Sequence, residues 1–129
     1  MDSILGNIPI VICLMILFTH WVSDFICQTH EMSIKKSKSN IWLTKHVMVY
    51  TAVTTIMWGV LFAYESGFEK GLILAGVTFI THWITDYFTS RWTSKLYAKG
   101  DIHNFFVVVG LDQFIHYTTL LGTYSFLYL

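Results

Sequence analysis

A seven-residue motif occurs twice in this chain and constrains its fold more than any other feature. Thr19–Phe25 reads THWVSDF and Thr81–Tyr87 reads THWITDY, so each position is identical or similar. The two copies begin 62 residues apart, from Thr19 to Thr81. In each copy a histidine precedes an aspartate by four positions, which places both side chains on one face of a helix. The motif therefore predicts two helices that each carry a His/Asp pair.

Two further apolar segments carry polar residues of the same kind. Asp112 and His116 repeat the four-residue spacing in reverse order, and His46 stands alone. For any single pair, the structural alternative is a His–Asp hydrogen bond that joins two helices. Three pairs favour a shared site, because uncompensated carboxylates are costly among apolar residues. We therefore predict that seven side chains converge at similar depth. They are His20, Asp24, His46, His82, Asp86, Asp112 and His116.

The composition predicts a membrane protein. The chain is 54% hydrophobic and 12% charged, with a mean hydropathy of +0.56, whereas soluble domains contain roughly 25% charged residues. A soluble four-helix bundle needs polar outer faces, and Val47–Tyr64 offers only apolar, Thr and Gly positions around nearly the whole helix. We predict one domain, residues 1–129, folded as an all-α bundle of four transmembrane helices. The predicted spans are about 8–28, 41–64, 72–92 and 104–128.

The basic residues predict an orientation for this bundle. Seven of the eight Lys and Arg residues lie beside the connections after the first and third spans, and only Lys70 lies on the other side. The positive-inside rule places those two connections in the cytoplasm, so both termini face outward. Because 62 residues cover two spans, the motif copies predict two parallel helical-hairpin repeats. The predicted location is the inner membrane, with several passes and periplasmic termini.

The predicted cluster has the chemistry of a metal site. Nitrogen and carboxylate ligands without thiolate favour zinc, manganese or iron. Seven candidates are sufficient for one or two divalent ions, although the aspartates are also suited to orienting the histidines without binding metal. An aspartate outside the coordination shell is predicted to act as a general base. The candidates for this role are Asp24, Asp86 and Asp112. The candidate substrate-binding residues are Lys45, Arg91, Gln28 and Gln113.

Three classes of function are compatible with such a site. A metal-dependent hydrolase would use it to cleave a phospho- or acyl-ester of an anionic, membrane-associated substrate. A transporter or channel would use it to pass protons or divalent metal ions. A structural or partner-binding membrane protein would use it only to fix helix register. The outer halves of the predicted spans contain no acidic side chain or imidazole, which favours the hydrolase over a conduit. A net charge of zero predicts no nucleic-acid partner, and a homo-oligomer remains compatible with the sequence.

The polar segments together match a recognisable pattern. They are HWVSDFICQ at 20–28, HVMVY at 46–50, HWITD at 82–86, Arg91, and LDQ at 111–113 with His116. With the Lys/Ser-rich loop between the first two segments, this pattern resembles a family of small bacterial and phage inner-membrane proteins catalogued as a domain of unknown function. The resemblance covers nearly the whole chain and implies a membrane location but no activity. A looser likeness, in composition only, is to bacterial membrane-bound metal-dependent hydrolases.

Overall fold

The computed structural model describes residues 8–65 and 67–129. Within these ranges every regular element is helical, which confirms the all-α prediction. The elements are α1 (Ile10–Trp21), a π-helical segment (Val22–Ile26), α2 (His30–Lys35), α3 (Asn40–Leu61), α4 (Phe68–Ala98) and α5 (Ile102–Tyr128). The four long helices correspond to the four predicted apolar spans. The additional helix, α2, lies in the stretch that was predicted to be a loop.

The four long helices form a bundle in which each helix has two neighbours. Helix α4 packs against α3 and α5, and α1 packs against the same two helices. The order around the bundle is therefore α1, α3, α4, α5, with α1 and α4 at opposite corners. Since the first motif copy begins on α1 and the second lies on α4, the two His/Asp pairs approach the centre from opposite sides.

The two copies of the motif differ in backbone geometry. The first copy leaves the α-helix at Trp21, and Val22–Ile26 forms a π-helical turn in which the Cys27 N–H donates to the Val22 carbonyl at 2.9 Å. The second copy lies within the uninterrupted helix α4. A π-helical turn contains more residues than an α-helical turn, so it changes the direction of the side chains that follow. The π-helical turn thus rotates Asp24 relative to His20.

Helix α2 folds back toward the bundle and positions the lysine that follows it. The Thr29 hydroxyl caps the helix by accepting the Met32 N–H at 3.2 Å, and the Met32 side chain is buried. Helix α2 packs against α3. Lys35 forms an ion pair with Glu31 on the exposed side, whereas Lys36, at the end of α2, extends into the bundle.

The bundle is apolar at one end and polar further along its interior. Six buried residues form the apolar core at the end remote from α2. They are Ile16, Trp58, Phe62, Leu74, Leu120 and Tyr124. The next layer toward α2 contains buried Thr19, Thr54 and Thr78. The four buried histidines and two buried aspartates come after this layer. The core therefore separates the polar interior from that end of the bundle.

The outer surface of the bundle is apolar. Phe18, Ile56, Ile80 and Phe114 are each more than half exposed, and they represent all four long helices. Soluble proteins rarely expose apolar side chains so continuously. By length and composition, α5 is able to cross a membrane, and Ile10–Ile26 forms a shorter apolar helix. The predicted membrane character thus has direct support from one helix.

Candidate metal centre

Four buried side chains bring one potential ligand atom each to the centre of the bundle. We call Asp24, His46, His82 and Asp86 the primary group; each is at most 3% exposed. His46 Nε2 lies 3.0 Å from Asp24 Oδ1, 3.2 Å from Asp86 Oδ2 and 3.2 Å from His82 Nε2. His82 Nε2 lies 3.6 and 3.4 Å from the same two carboxylate oxygens. Tetrahedral coordination with bonds of about 2.0–2.1 Å separates ligand atoms by about 3.3–3.4 Å. Five of the six distances among the four ligand atoms of the primary group thus lie near those of a tetrahedral metal site.

The surroundings of the Asp24 Oδ1 atom support this assignment. Asp24 Oδ1 is buried and accepts no hydrogen bond from the described residues, although His46 Nε2 is only 3.0 Å away. A buried carboxylate oxygen without a partner is costly. A cation bound between the four atoms would compensate this oxygen and the Asp86 carboxylate together. The residues of the primary group therefore fit a divalent metal.

A second set of ligand atoms adjoins the first. We call Asp24, Asp112 and His116 the secondary group. His116 Nε2 lies 3.3 Å from Asp112 Oδ1 and 3.0 Å from Asp86 Oδ1. Asp86 therefore directs Oδ2 at the primary group and Oδ1 at His116. Asp24 belongs to both groups, so the arrangement has room for a second ion with shared carboxylates, as in two-metal sites.

Lys36 places a cationic side chain in contact with the cluster. Its Nζ lies 2.9 Å from Asp86 Oδ2 and 3.4 Å from His46 Nε2. Burial disfavours the charged form, but attraction to Asp86 and Asp24 outweighs it, so the pKa of Lys36 lies above its ordinary value. The sequence predicts a loop around Lys36, because nothing in the Lys/Ser-rich stretch indicates that one lysine turns inward. Lys36 thus offsets part of the negative charge of Asp24 and Asp86.

His20 lies outside both groups and belongs to a hydrogen-bonded chain. Its Nδ1 contacts the Tyr50 hydroxyl at 2.8 Å and its Nε2 contacts Gln113 Oε1 at 2.8 Å. The Gln113 amide nitrogen donates to Asp112 Oδ2 at 3.0 Å, which identifies Oε1 as the oxygen that faces His20. Because Oε1 only accepts, His20 donates through Nε2, and a neutral ring then accepts the Tyr50 proton at Nδ1. This chain orients Asp112. The sequence predicts His20 as a ligand, whereas in the structure His20 Nε2 lies 3.6 Å from Asp24 Oδ2 and both ring nitrogens contact Tyr50 and Gln113.

The chain Tyr50–His20–Gln113 yields a prediction that separates His20 from the ligands. Replacing Tyr50 by Phe is expected to lower the free energy of unfolding by about 1–3 kcal/mol, since a buried ring nitrogen loses its donor. The metal content is expected to fall much less in Tyr50→Phe and in His20→Ala than in His46→Ala. Denaturant unfolding and elemental analysis of the purified variants measure the two effects. A fall in metal content in His20→Ala equal to that in His46→Ala would place His20 in the coordination shell.

A cavity of about 580 Å³ adjoins the two groups on the side of α2. Asp24, Asp86 and Asp112 line its inner end. The predicted substrate-binding residues divide into two pairs. Gln28 and Gln113 line this cavity.

Lys45 and Arg91 are absent from the described lining and have other contacts. Lys45 Nζ lies 4.5 Å from the ring centroid of Trp42. Arg91 donates to the Tyr87 carbonyl and to Asn40 Oδ1. The lysines that line the cavity are instead Lys36 and Lys38.

In the described residues, the fold and the cluster together define an all-helical protein with a buried His/Asp site at the inner end of a cavity. Residues 12–129 match the family described as "Protein of unknown function (DUF3307)", and the chain belongs to this family. The resemblance seen in the sequence is thereby confirmed, while a bacterial or phage origin stays a prediction. No curated protein and no solved structure shows a significant match to the chain.

Proposed function

We propose that the protein is an integral membrane enzyme that hydrolyses a membrane-associated phospho- or acyl-ester with the help of a divalent metal. The observation that carries this proposal is the position of the two ligand groups. They lie at the inner end of a cavity of about 580 Å³, and the interior beyond them ends in the apolar core. A site of this kind admits a ligand from one side only. Such a dead-end site suits catalysis better than passage through the bundle.

The membrane location is supported by the inverted polarity of the bundle. Its outer surface is apolar on all four long helices, and its buried polar residues converge at the centre. We propose that α1 with its π-helical extension, α3, α4 and α5 all span the bilayer. The cavity and α2 then lie on the cytoplasmic side, where seven of the eight Lys and Arg residues are also found.

A labelling experiment tests this orientation. In a background with Cys13 and Cys27 replaced by serine, a cysteine is introduced by Ser37→Cys or by Glu65→Cys. An impermeant maleimide added to intact cells is expected to label the Glu65→Cys protein and to label the Ser37→Cys protein only after lysis. The opposite pattern would reverse the orientation. Labelling of both positions in intact cells would contradict a four-span topology.

We assign the primary group as the metal site in which the reaction takes place, with Asp112 outside its coordination shell. Zinc, manganese and iron match its nitrogen and oxygen donors. When bound, the metal supplies a Lewis acid that activates water near neutral pH. The histidines bind metal only in the neutral form, so proton competition weakens binding as the pH falls. Bound metal is therefore expected to dissociate as the pH drops through the range of histidine titration, about 6–7. Elemental analysis after dialysis at stepwise lower pH measures this, and retention at pH 4 would contradict histidine ligation.

Asp112 is the proposed general base. Its side chain is 16% exposed and lines the cavity, unlike the more deeply buried Asp24 and Asp86. The Thr89 hydroxyl, 2.5 Å from Oδ1, and the Gln113 amide hold the carboxylate in position. A water oxygen forms the new bond to phosphorus or to the acyl carbon, and its proton passes to Asp112. The ester bond breaks, and Asp112 returns the proton to the departing oxygen, so that one water yields one acid and one alcohol.

Two assays with purified protein test the function. In the first, protein in detergent is incubated with total bacterial lipid and with candidate phosphoesters, with and without a chelator, and products are found by mass spectrometry. The expected result is a metal-dependent loss of one ester. In the second, proteoliposomes are assayed for proton and divalent-metal flux. Metal-dependent flux without turnover would favour transport, and silence in both assays would favour a structural role.

A further inference from the structure

The cavity beside the metal centre has two chemically different walls. Hydroxyl groups dominate the first wall, and those on α4 follow one face of that helix outward from Asp86. The hydroxyl side chains that line the cavity are Ser33, Ser37, Thr89, Ser90, Thr93 and Ser94. From Asp86 to Tyr97 the lining face of α4 spans about 16 Å at the usual helical rise. The cavity is therefore elongated, with the ligand groups at one end.

The second wall is apolar and partly exposed. It consists of Phe25, Ile34, Tyr97, Phe105 and Val109. Phe25, Ile34 and Tyr97 are 48, 46 and 65% exposed, so this wall continues onto the apolar outer surface of the bundle. An apolar wall that opens toward the surface accommodates a hydrocarbon chain whose remainder lies among lipids. A fully polar ligand has no apolar group that could pack against this wall.

The residues that line the cavity also include unsatisfied polar atoms and a cation. Ser90 Oγ and Gln28 Oε1 are buried and have no hydrogen-bond partner among the described residues. Lys36 Nζ lies beside the primary group, 2.9 Å from Asp86. With metal bound to Asp86, part of the charge of Lys36 becomes available to an incoming anion. A hydroxyl donor, an ammonium group and a metal around one space suit the several acceptor oxygens of a phosphate.

We infer that the substrate is a phosphate ester that carries an apolar chain. Its phosphate lies between the metal centre, Lys36 and Ser90, and its chain lies along the wall formed by Phe25, Ile34 and Phe105. This inference rests on the proposed function and narrows it, because an acyl ester offers one carbonyl oxygen and no negative charge for Lys36. The Gln28 amide oxygen then accepts from a hydroxyl group of the ligand or from water.

Binding of non-hydrolysable ligands tests the inference without requiring turnover. Metal-loaded protein in dodecylmaltoside micelles, which contain no phosphate, is titrated calorimetrically with three probes, and empty micelles serve as the blank. The probes are the methylene phosphonate analogue of dioctanoyl phosphatidate, dioctanoylglycerol, and inorganic phosphate. The phosphonate lipid is expected to bind at least about tenfold more tightly than either of the others, because only it engages both walls.

Matched lysine variants localise the phosphate. Lys36→Met is expected to weaken binding of the phosphonate lipid by about tenfold or more, and Ser90→Ala by a smaller factor. Lys35→Met is the control, since Lys35 is the adjacent residue but pairs with Glu31 on the exposed side. Equal effects of the two lysine substitutions would overturn the assignment of Lys36.

The affinities of the wild-type protein for the three probes also test the inference. Equal affinity for dioctanoylglycerol would refute a phosphate subsite, and equal affinity for inorganic phosphate would refute the chain-binding wall. Failure of all three probes to bind would overturn the whole inference. The proposed function is judged separately, by metal content and by metal-dependent turnover of any ester. A protein that binds metal and cleaves a neutral acyl ester retains the function and loses this inference.

Discussion

Replacement of Asp86 by asparagine is expected to remove nearly all bound metal from the purified protein. Asp86 directs one oxygen at the primary group and the other at His116, and it is 1% exposed. Asparagine has nearly the same shape but no negative charge, so it withdraws one anionic ligand from the primary group and one charge from the secondary group. Substitutions behind the ligands typically cost 10–100-fold in metal affinity, and loss of a shared ligand should cost roughly 100-fold or more.

The effect is measured as metal per protein chain after purification without chelator. Asp24→Ala and Asp86→Ala are expected to behave like Asp86→Asn. Glu69→Gln is the matched control, because Glu69 is an exposed acidic residue in the first turn of the same helix, α4. Metal content that is equal in Asp86→Asn and in Glu69→Gln would exclude Asp86 from the site.

Replacement of Lys36 by methionine is expected to destabilise the metal-free protein much more than the metal-loaded protein. Without metal, Lys36 is the cation nearest to Asp86, at 2.9 Å. Its removal leaves the buried Asp86 carboxylate with its histidine contacts but without this cation, which should cost about 3 kcal/mol, at the lower end of the usual range because Lys36 is 18% exposed. With metal bound, the ion compensates Asp86 and the loss is smaller.

Unfolding in detergent, with a chelator and with added metal, measures both losses. The adjacent substitution Lys35→Met is expected to change the free energy of unfolding by less than about 0.5 kcal/mol in either condition, since the Lys35–Glu31 pair is exposed. By linkage, Lys36→Met should bind metal more tightly than the wild type. Equal losses with and without metal would show that Lys36 and the metal do not share Asp86.

The sequence predicts the helices and most of the cluster for physical reasons. A His/Asp spacing of four residues has a clear meaning on a helix, and an apolar environment makes convergence of such pairs favourable. The primary group unites Asp24 and Asp86, one from each motif copy, with His46 from α3. The all-helical fold could be predicted because apolar segments of this length can adopt few other regular structures.

The details that the sequence leaves undetermined depend on tertiary contacts. The π-helical turn at Val22–Ile26 has no counterpart in α4, although the motif is nearly the same in both helices. Its wider turn separates the direction of His20 from that of Asp24, and the partners of His20 come from α3 and α5. Lys36 enters the cluster because Thr29 and Met32 anchor a short helix against the bundle. Neither effect follows from local propensity.

X-ray absorption spectroscopy of the metal-loaded protein tests the central claim most directly. The expected result is a divalent ion coordinated only by nitrogen and oxygen, with bond lengths of about 2.0–2.2 Å for zinc and a clear imidazole contribution. This imidazole contribution is expected to decrease in His46→Ala and to stay constant in His20→Ala. Protein that binds no divalent metal, or metal coordinated by the sulfur of Cys13 or Cys27 in place of the histidines, would contradict the central claim.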